Sequence, residues 1–229
     1  MSTALYGLGG LRFWSEAEIE RREAFQLAAV NTVRRALLAM NPVWRIYQVE
    51  GPMLTPRAEM SAAYGDDDIF ITNHAAGGDF LCLRAETTRS SYAAARAIGG
   101  RMPLCVWQAG KSCRRETTDG ASASKLRFNE FWQLEFQCIY ASDSRADYRG
   151  GMIKALVPLI EHFTSRDCRL VESDRLPAYS TSTLDIEVEY ADGLVWREVA
   201  SCSLRTDYAA NLTVAEIAIG LDRIVDLSP

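Results

Sequence analysis

The run Phe131-Trp132-Gln133-Leu134-Glu135-Phe136-Gln137-Cys138-Ile139-Tyr140 constrains the chain more than any other stretch. Leu134, Phe136, Cys138 and Tyr140 fall at every second position, the period of a strand with one buried face. Upstream, Val106-Trp107 suits a second strand, and between the two lies a loop of Thr, Asp, Gly, Ala and Ser, the turn residues of a long hairpin. The antiparallel ribbon that results carries Arg114, Arg115, Glu116, Arg127, Glu130 and Glu135. Charges this close to a buried sheet are costly unless compensated, and ionisable groups in such surroundings cluster at functional sites. A bound nucleotide is one such compensation.

Composition narrows the options. With 229 residues, 48% hydrophobic and 24% charged, the chain is long enough for a sizeable core and reads as a single domain, 1–229. Its cysteines (Cys82, Cys105, Cys113, Cys138, Cys168, Cys202) are scattered without a CxxC pair, and no signal peptide is read at the start, so reduced thiols in a cytoplasmic protein are expected. His74 and His162 are the only histidines, which argues against a His-based triad or a His-rich zinc site. No apolar run approaches the ~20 residues of a membrane helix. A net charge of -5 does not advertise nucleic-acid binding, although a local basic face is compatible with it. Asp66-Asp67-Asp68 reads as a solvated loop, because three consecutive side chains cannot all face one ion. No GxGxxG or GxxxxGK[ST] loop supports a parallel nucleotide fold.

In chain order, residues 1 to 14 read as an irregular lead-in, and Ser15 opens a long amphipathic helix ending before Pro42. A strand follows at Val43 to Tyr47, and a mobile polar connection over residues 57 to 80 contains a short strand at Ile69 to Thr72. Leu81 to Leu83 reads as a strand leading to a helix that ends near Ile98, and Met152 to Phe163 has helical periodicity. Strands are expected at Leu170 to Glu172, Leu184 to Tyr190 and Trp196 to Ser203.

Arg114-Arg115-Glu116, a loop, then Arg127-Phe128-Asn129-Glu130-Phe131 resembles motif 2 of the class II aminoacyl-tRNA synthetases, an Arg-x-Glu, a loop and a returning strand with Glu-Phe. Val214 to Ile224, running through Gly220 to Arg223 as Gly-x-x-Arg, resembles motif 3. The first long helix with Trp44 to Pro56 resembles motif 1, Pro56 being its proline. Leu83-Arg84-Ala85-Glu86-Thr87 is similar to the Leu-Arg-Pro-Glu-Thr segment of glycyl-tRNA synthetases, with Ala85 in place of proline. The stretch from Trp196 to Tyr208 resembles the segment before motif 3 in glycyl- and seryl-type enzymes.

The resemblance implies an α+β fold, an antiparallel sheet of about six strands flanked by helices. It implies a ligase that uses ATP and magnesium (Mg2+) to activate a small amino acid, glycine the leading candidate, as an aminoacyl-adenylate for transfer to tRNA or another acceptor. Arginine suits the phosphates because its guanidinium stays charged and bonds bidentately. By resemblance, Arg114 serves the α-phosphate and substrate carboxylate, Arg223 the γ-phosphate, Glu116 the adenine edge and Phe131 the adenine face. Glu198 and Ser201 would hold the magnesium, and Glu86, Glu135, Arg205 and Glu216 would form the amino-acid pocket, with Glu86 on the substrate ammonium. The glycine enzymes read Glu-Pro-Ser where this chain has Glu216, Ile217 and Ala218, so their serine is missing. The family pairs as a homodimer through the elements matching Ser15 to Met40 and the strand ending at Pro56; an ordinary core helix is the other reading of that segment. The chain stops at Pro229, soon after motif 3, so no anticodon-binding domain is expected. The alternative to an enzyme is a non-catalytic paralogue acting as an accessory or regulatory dimer, against which stand the retained Arg114, Glu116 and Arg223.

Overall fold

The computed structural model describes residues 5–6, 11–61, 63–76, 78–116, 120–121, 125–174, 179–190, 195–205 and 207–229. In the lead-in, β1 (Leu5–Tyr6) pairs antiparallel with β2 (Arg12–Phe13); the rest of its first ten residues lie outside the described set. Helix α1 (Glu16–Met40) starts where the sequence places it, because Ser15 Oγ accepts from the Glu18 amide at 3.4 Å while the Glu18 carboxylate accepts from Ser15 N at 2.8 Å. Each group satisfies a terminal N–H that the helix itself leaves unpaired.

Beyond α1 come β3 (Arg45–Gln48), β4 (Leu54–Pro56) and α2 (Arg57–Ser61). They are followed by β5 (Ile71–Ala76), β6 (Asp79–Leu83) and α3 (Thr88–Ile98). The polar connection expected over 57 to 80 is therefore built structure: β4, β6 and β5 form a separate three-stranded sheet. The reason is a small apolar cluster of its own, Met60, Ile69, Cys82 and Ala85, which the charge-rich sequence around it disguises. Asp66–Asp68 form a single 3-10 turn, and Ile69, read as the start of a strand, is instead a buried anchor.

The remaining elements are β7 (Leu104–Cys113), β8 (Glu130–Ala141), α4 (Tyr148–Thr164), β9 (Cys168–Glu172), β10 (Ser180–Tyr190), β11 (Val195–Arg205), β12 (Leu212–Gly220) and α5 (Leu221–Leu227). They complete a seven-stranded sheet in the order β3-β7-β8-β12-β11-β10-β9. Neighbours pair antiparallel except β3 with β7, which run parallel. The expected antiparallel sheet flanked by helices is what forms, with one parallel pair added at its edge; a parallel partner needs a long crossover, and the segment from β4 to α3 supplies one.

One face of the sheet is covered by α1, α4 and α5. There Phe25, Val33 and Leu37 of α1, Leu134, Phe136 and Cys138 of β8, and Met152 and Leu156 of α4 belong to one buried cluster. On the other face α3 covers part of β7 and β8, and Ala95, Leu104, Val106, Ile139 and Val214 form a second cluster. Strand β8 is therefore buried on both sides rather than half-buried, and its polar set, Glu135 and Gln137, lies fully inside.

Phe25 is fully buried and meets Phe163 edge-on at 5.1 Å, whereas Leu27, two residues on, is 64% exposed. Phe25→Ala is expected to destabilise the chain by about 3–5 kcal/mol and Leu27→Ala by under about 0.5 kcal/mol in chemical denaturation; equal effects would mean that α1 does not pack by this face.

Candidate active site

On the sheet face away from α1, α4 and α5 lies a cleft of about 1300 Å³. It is floored by alternate residues of the central strands, among them Gln133, Glu216, Ala218, Ser201, Ser203 and Asp185. The cross-strand pairing Asp185↔Ser201 and Ser201↔Ala218 sets one row of that floor, and Ser203↔Glu216 the next.

At one part of the wall, Arg114 follows the end of β7. Its backbone N–H donates to Asn129 O at 2.9 Å and its Nε to Ala85 O at 2.9 Å, while its guanidinium stands 5.1 Å from the ring centroids of both Tyr64 and Phe131. Glu116 N donates to Asn129 Oδ1 at 3.1 Å, and the Glu116 carboxylate faces Arg127 at 3.5 Å. The tip of this ribbon, 117–119 and 122–124, lies outside the described residues. Arg223, in the first turn of α5, donates Nε to Leu126 O at 3.2 Å and Nη1 to Glu198 O at 2.5 Å, with Glu198 Oε2 3.6 Å away. Burial, joined by the like charges of Arg114 and Arg127, pulls the Arg223 guanidinium below its ordinary range against the opposing Glu198.

The acids gather elsewhere along the floor. Glu86 Oε2 accepts from Tyr64 OH at 2.7 Å, but its buried Oε1 has no hydrogen-bond partner. Glu135 is 0% exposed and does not border the cleft; Thr87 and Thr88 hydroxyls donate to its Oε2 and Gln137 Nε2 donates to its Oε1 at 2.7 Å. Gln137 Nε2 also reaches Glu216 Oε2 at 3.4 Å, and Tyr208 OH donates to Gln137 Oε1. Arg205, likewise 0% exposed, lies 4.1 Å from the ring centroid of Tyr179 and holds Asp207 by two bonds of 3.0 and 2.7 Å. Its Nη1 donates to Glu216 Oε2 at 2.5 Å.

Burial, with the nearby Glu135 charge, pushes the Glu216 carboxyl up to about 8, although Arg205 opposes the shift. Burial raises Glu135 too, with Glu86 adding to it. Arg205 nevertheless keeps its proton, because Asp207 takes the paired edge of the guanidinium and Glu216 receives a single N–H. A carboxylate cluster with this shortage of positive charge is primed for a small cation.

The cleft thus brings together Arg114, Glu116, Phe131, Arg223, Glu86, Glu216, Glu198 and Ser201, eight of the residues singled out from sequence. Glu135 and Arg205 lie behind its floor, where they hold Gln137 and Glu216 rather than face the opening. Tyr64, Tyr179, Gln137 and Asp185 were missed. Gln137 could have been found from its alternation with Glu135; the tyrosines sit in segments without periodicity. Among the described residues no group of three or more His, Cys, Asp or Glu side chains is placed to hold a metal ion.

The fold is that of the catalytic core of class II aminoacyl-tRNA synthetases. The fold matches the crystal structure of prolyl-tRNA synthetase from Cryptosporidium parvum, complexed with halofuginone and AMPPNP, with a TM-score of 0.78 and 10% identity over 97% of this chain and 48% of that one. In sequence the chain is similar to glycine–tRNA ligases: 32% identical over 134 residues to that of Alkaliphilus metalliredigens, and 30% over 137 residues to that of Geobacillus thermodenitrificans. Each match covers 56% of this chain, and the chain spans only 29% and 28% of those proteins. No family model matches it. Among the described residues no helix is long and apolar enough to cross a membrane.

The raised carboxyls have a consequence for stability. Glu216 loses its proton near 8 when folded against an ordinary 4.5, so the folded chain binds more protons between these values, and stability present at about pH 4.5 is lost as pH rises through 8. Buried Asp226, raised to about 6, and Asp222, raised to about 7, act in the same direction lower in the window. The melting temperature of the ligand-free protein should fall from pH 5 to 8, and Glu216→Gln should flatten the part above pH 7. Identical slopes in the two proteins would contradict the assignment.

Proposed function

We propose that the chain activates a small amino acid with ATP, glycine the leading candidate, and hands the acyl group of the resulting adenylate to tRNA or another acceptor. The observation that carries this reading is the convergence in one cleft of an arginine-lined wall and an acid-lined floor, joined where Arg114 bonds the carbonyl of Ala85 beside Glu86. An amino acid carries a carboxylate for the first and an ammonium for the second.

The partnerless Glu86 Oε1 and the proton-sharing Glu216 offer the ammonium its acceptors. Glu135 and Arg205 position them through Gln137 and the bond to Glu216. Arg114 then holds the substrate carboxylate next to the α-phosphate, Phe131 stacks on adenine and Glu116 takes its edge. Arg223 suits the γ-phosphate, since its bonds to the carbonyls of Leu126 and Glu198 fix the guanidinium before any ligand arrives. A nucleotide there would relieve the repulsion that Arg114 and Arg127 exert on Arg223. The neighbour crystallised with AMPPNP has the same fold, which supports a nucleotide in this one.

Activation forms a bond between a carboxylate oxygen and the α-phosphorus and releases pyrophosphate. The attacking carboxylate is already deprotonated, so no general base is required, and fixed positive charge supplies the stabilisation. Glu198 and Ser201, an oxygen-only pair, fit magnesium, which would supply further charge neutralisation at the phosphates.

A homodimer fits the same reading. The wide apolar stripe of α1 is used inside the subunit, by Phe25, Val33 and Leu37, so the ordinary core-helix reading holds for that stripe. Exposed Leu38, Met40, Val43, Tyr47 and Leu54, on α1, the turn after it, β3 and β4, support a contact with a second copy.

ATP–pyrophosphate exchange across the twenty amino acids, with and without RNA, is the direct test. Glycine, alanine or serine should support it, because Ala218 leaves an apolar wall that discriminates a methylene by only about 1–3 kcal/mol, and N-acetylglycine should not. Arg114→Ala should lower the exchange about a hundredfold, on the order of 3 kcal/mol for a charge-assisted contact at the reacting phosphate. Exchange driven best by an aromatic amino acid would refute the pocket assignment, and exchange with none of the twenty would favour a non-catalytic relative.

A further inference from the structure

Asp185 is a carboxylate without an assigned task. It lies on β10, directly opposite Ser201 of β11, and lines the same cleft. It is 7% exposed, and its Oδ1 has no hydrogen-bond partner. The hydroxyls of Ser173 and Ser201 bond to its carboxylate, while the carboxylates of Glu198 and Asp174 repel its charge. Leaving a buried carboxylate oxygen without a donor is costly, and native structures seldom do so unless a water, ion or ligand completes the site.

The position of Asp185 identifies what would complete it. The group shares Ser201 with the pair Glu198 and Ser201, and Glu198 is close enough to act on it electrostatically. Arg223, the cation beside Glu198, is bonded to the carbonyls of Leu126 and Glu198. The cleft groups around it are oxygen donors, the carboxylates of Asp185, Glu198 and Asp174 and the hydroxyls of Ser173 and Ser201. Such a set suits a hard divalent cation, and magnesium in particular binds through one or two carboxylates with the remaining positions filled by water and phosphate. A cage of three protein carboxylates is not required, which agrees with the absence of one among the described residues.

We propose that Asp185 is an additional protein ligand of the divalent-cation site formed by Glu198 and Ser201, closing it from the β10 side through Oδ1. The proposal rests on the reading of Glu198 and Ser201 as a cation site. It gives this chain a second carboxylate on the ion, on a strand different from the one that carries the other two ligands, so that β10 and β11 are tied together when the ion is bound.

Manganese is the probe. Free Mn²⁺ is followed by electron paramagnetic resonance during titration of the full chain, alone and with a non-hydrolysable ATP analogue, for the wild type, Asp185→Asn and Glu198→Gln. Asparagine keeps the shape and can still bond the two serines, but offers a far weaker ligand. Asp185→Asn should raise the Mn²⁺ dissociation constant at least about tenfold, with an unchanged or higher melting temperature in the absence of metal, since a poorly satisfied buried charge is removed. Asp185→Ser, smaller and neutral, should weaken Mn²⁺ equally and guards against a packing defect peculiar to the amide. If Glu198→Gln loses Mn²⁺ while both Asp185 variants bind it as the wild type does, the proposal is overturned and the two-residue site stands. If the wild type binds no Mn²⁺ under either condition, the proposal and the reading beneath it both fail.

Discussion

Strand β8 imposes the constraint on which the rest depends, because it is buried on both faces and its residues must alternate between two chemistries. Leu134, Phe136 and Cys138 enter the core under α1, α4 and α5, while Glu135 and Gln137 point the other way and are equally removed from solvent. A shift of one residue in register would place a glutamate in the helix-covered core and a phenylalanine among the acids, so the pairing with β7 and β12 is strongly specified. The polar face is tolerated because each group finds partners: Thr87 and Thr88 for Glu135, Tyr208 and Thr88 for Gln137, Arg205 for Glu216.

That satisfaction is incomplete, and the incompleteness is chemically directed. Glu86 keeps a buried oxygen without a donor, and Glu216 is neutralised near pH 8 by a proton that a substrate ammonium could replace. Against this floor stands an arginine wall in which burial and the charges of Arg114 and Arg127 depress Arg223, while Glu86, Glu116 and Glu198 favour the charged Arg114 and backbone carbonyls hold both guanidinium groups. Each half lacks what an amino acid and a nucleotide carry. The stabilising contacts of the fold and the unmet demands of the cleft therefore come from the two sides of one sheet.

Much of this was legible from the residues. The two-residue period of β8, the capping box at Ser15 and the strand-to-helix passage at Gly220 each read correctly, because each is a local pattern with a local cause. Less legible was whatever depended on distant segments meeting. The parallel pairing of β3 with β7 has no local signature, and the sheet of β4, β6 and β5 is stabilised by four apolar residues scattered through charged sequence. The same holds within the cleft. Tyr64 reaches Glu86, Tyr179 covers Arg205 and Asp185 faces Ser201 only through the tertiary arrangement. Motif resemblance found the residues that face the opening but could not distinguish them from Glu135 and Arg205, which act from behind the floor.

The central claim is that one cleft accommodates an amino acid and a nucleotide joined end to end, and a co-crystal structure with the sulfamoyl analogue of glycyl-adenylate tests it most directly. The account predicts adenine against Phe131, the sulfamoyl group beside Arg114 and the ammonium within hydrogen-bond distance of Glu86 and Glu216. A complex with the analogue bound elsewhere, or in this cleft with its ammonium turned away from both glutamates, would contradict it.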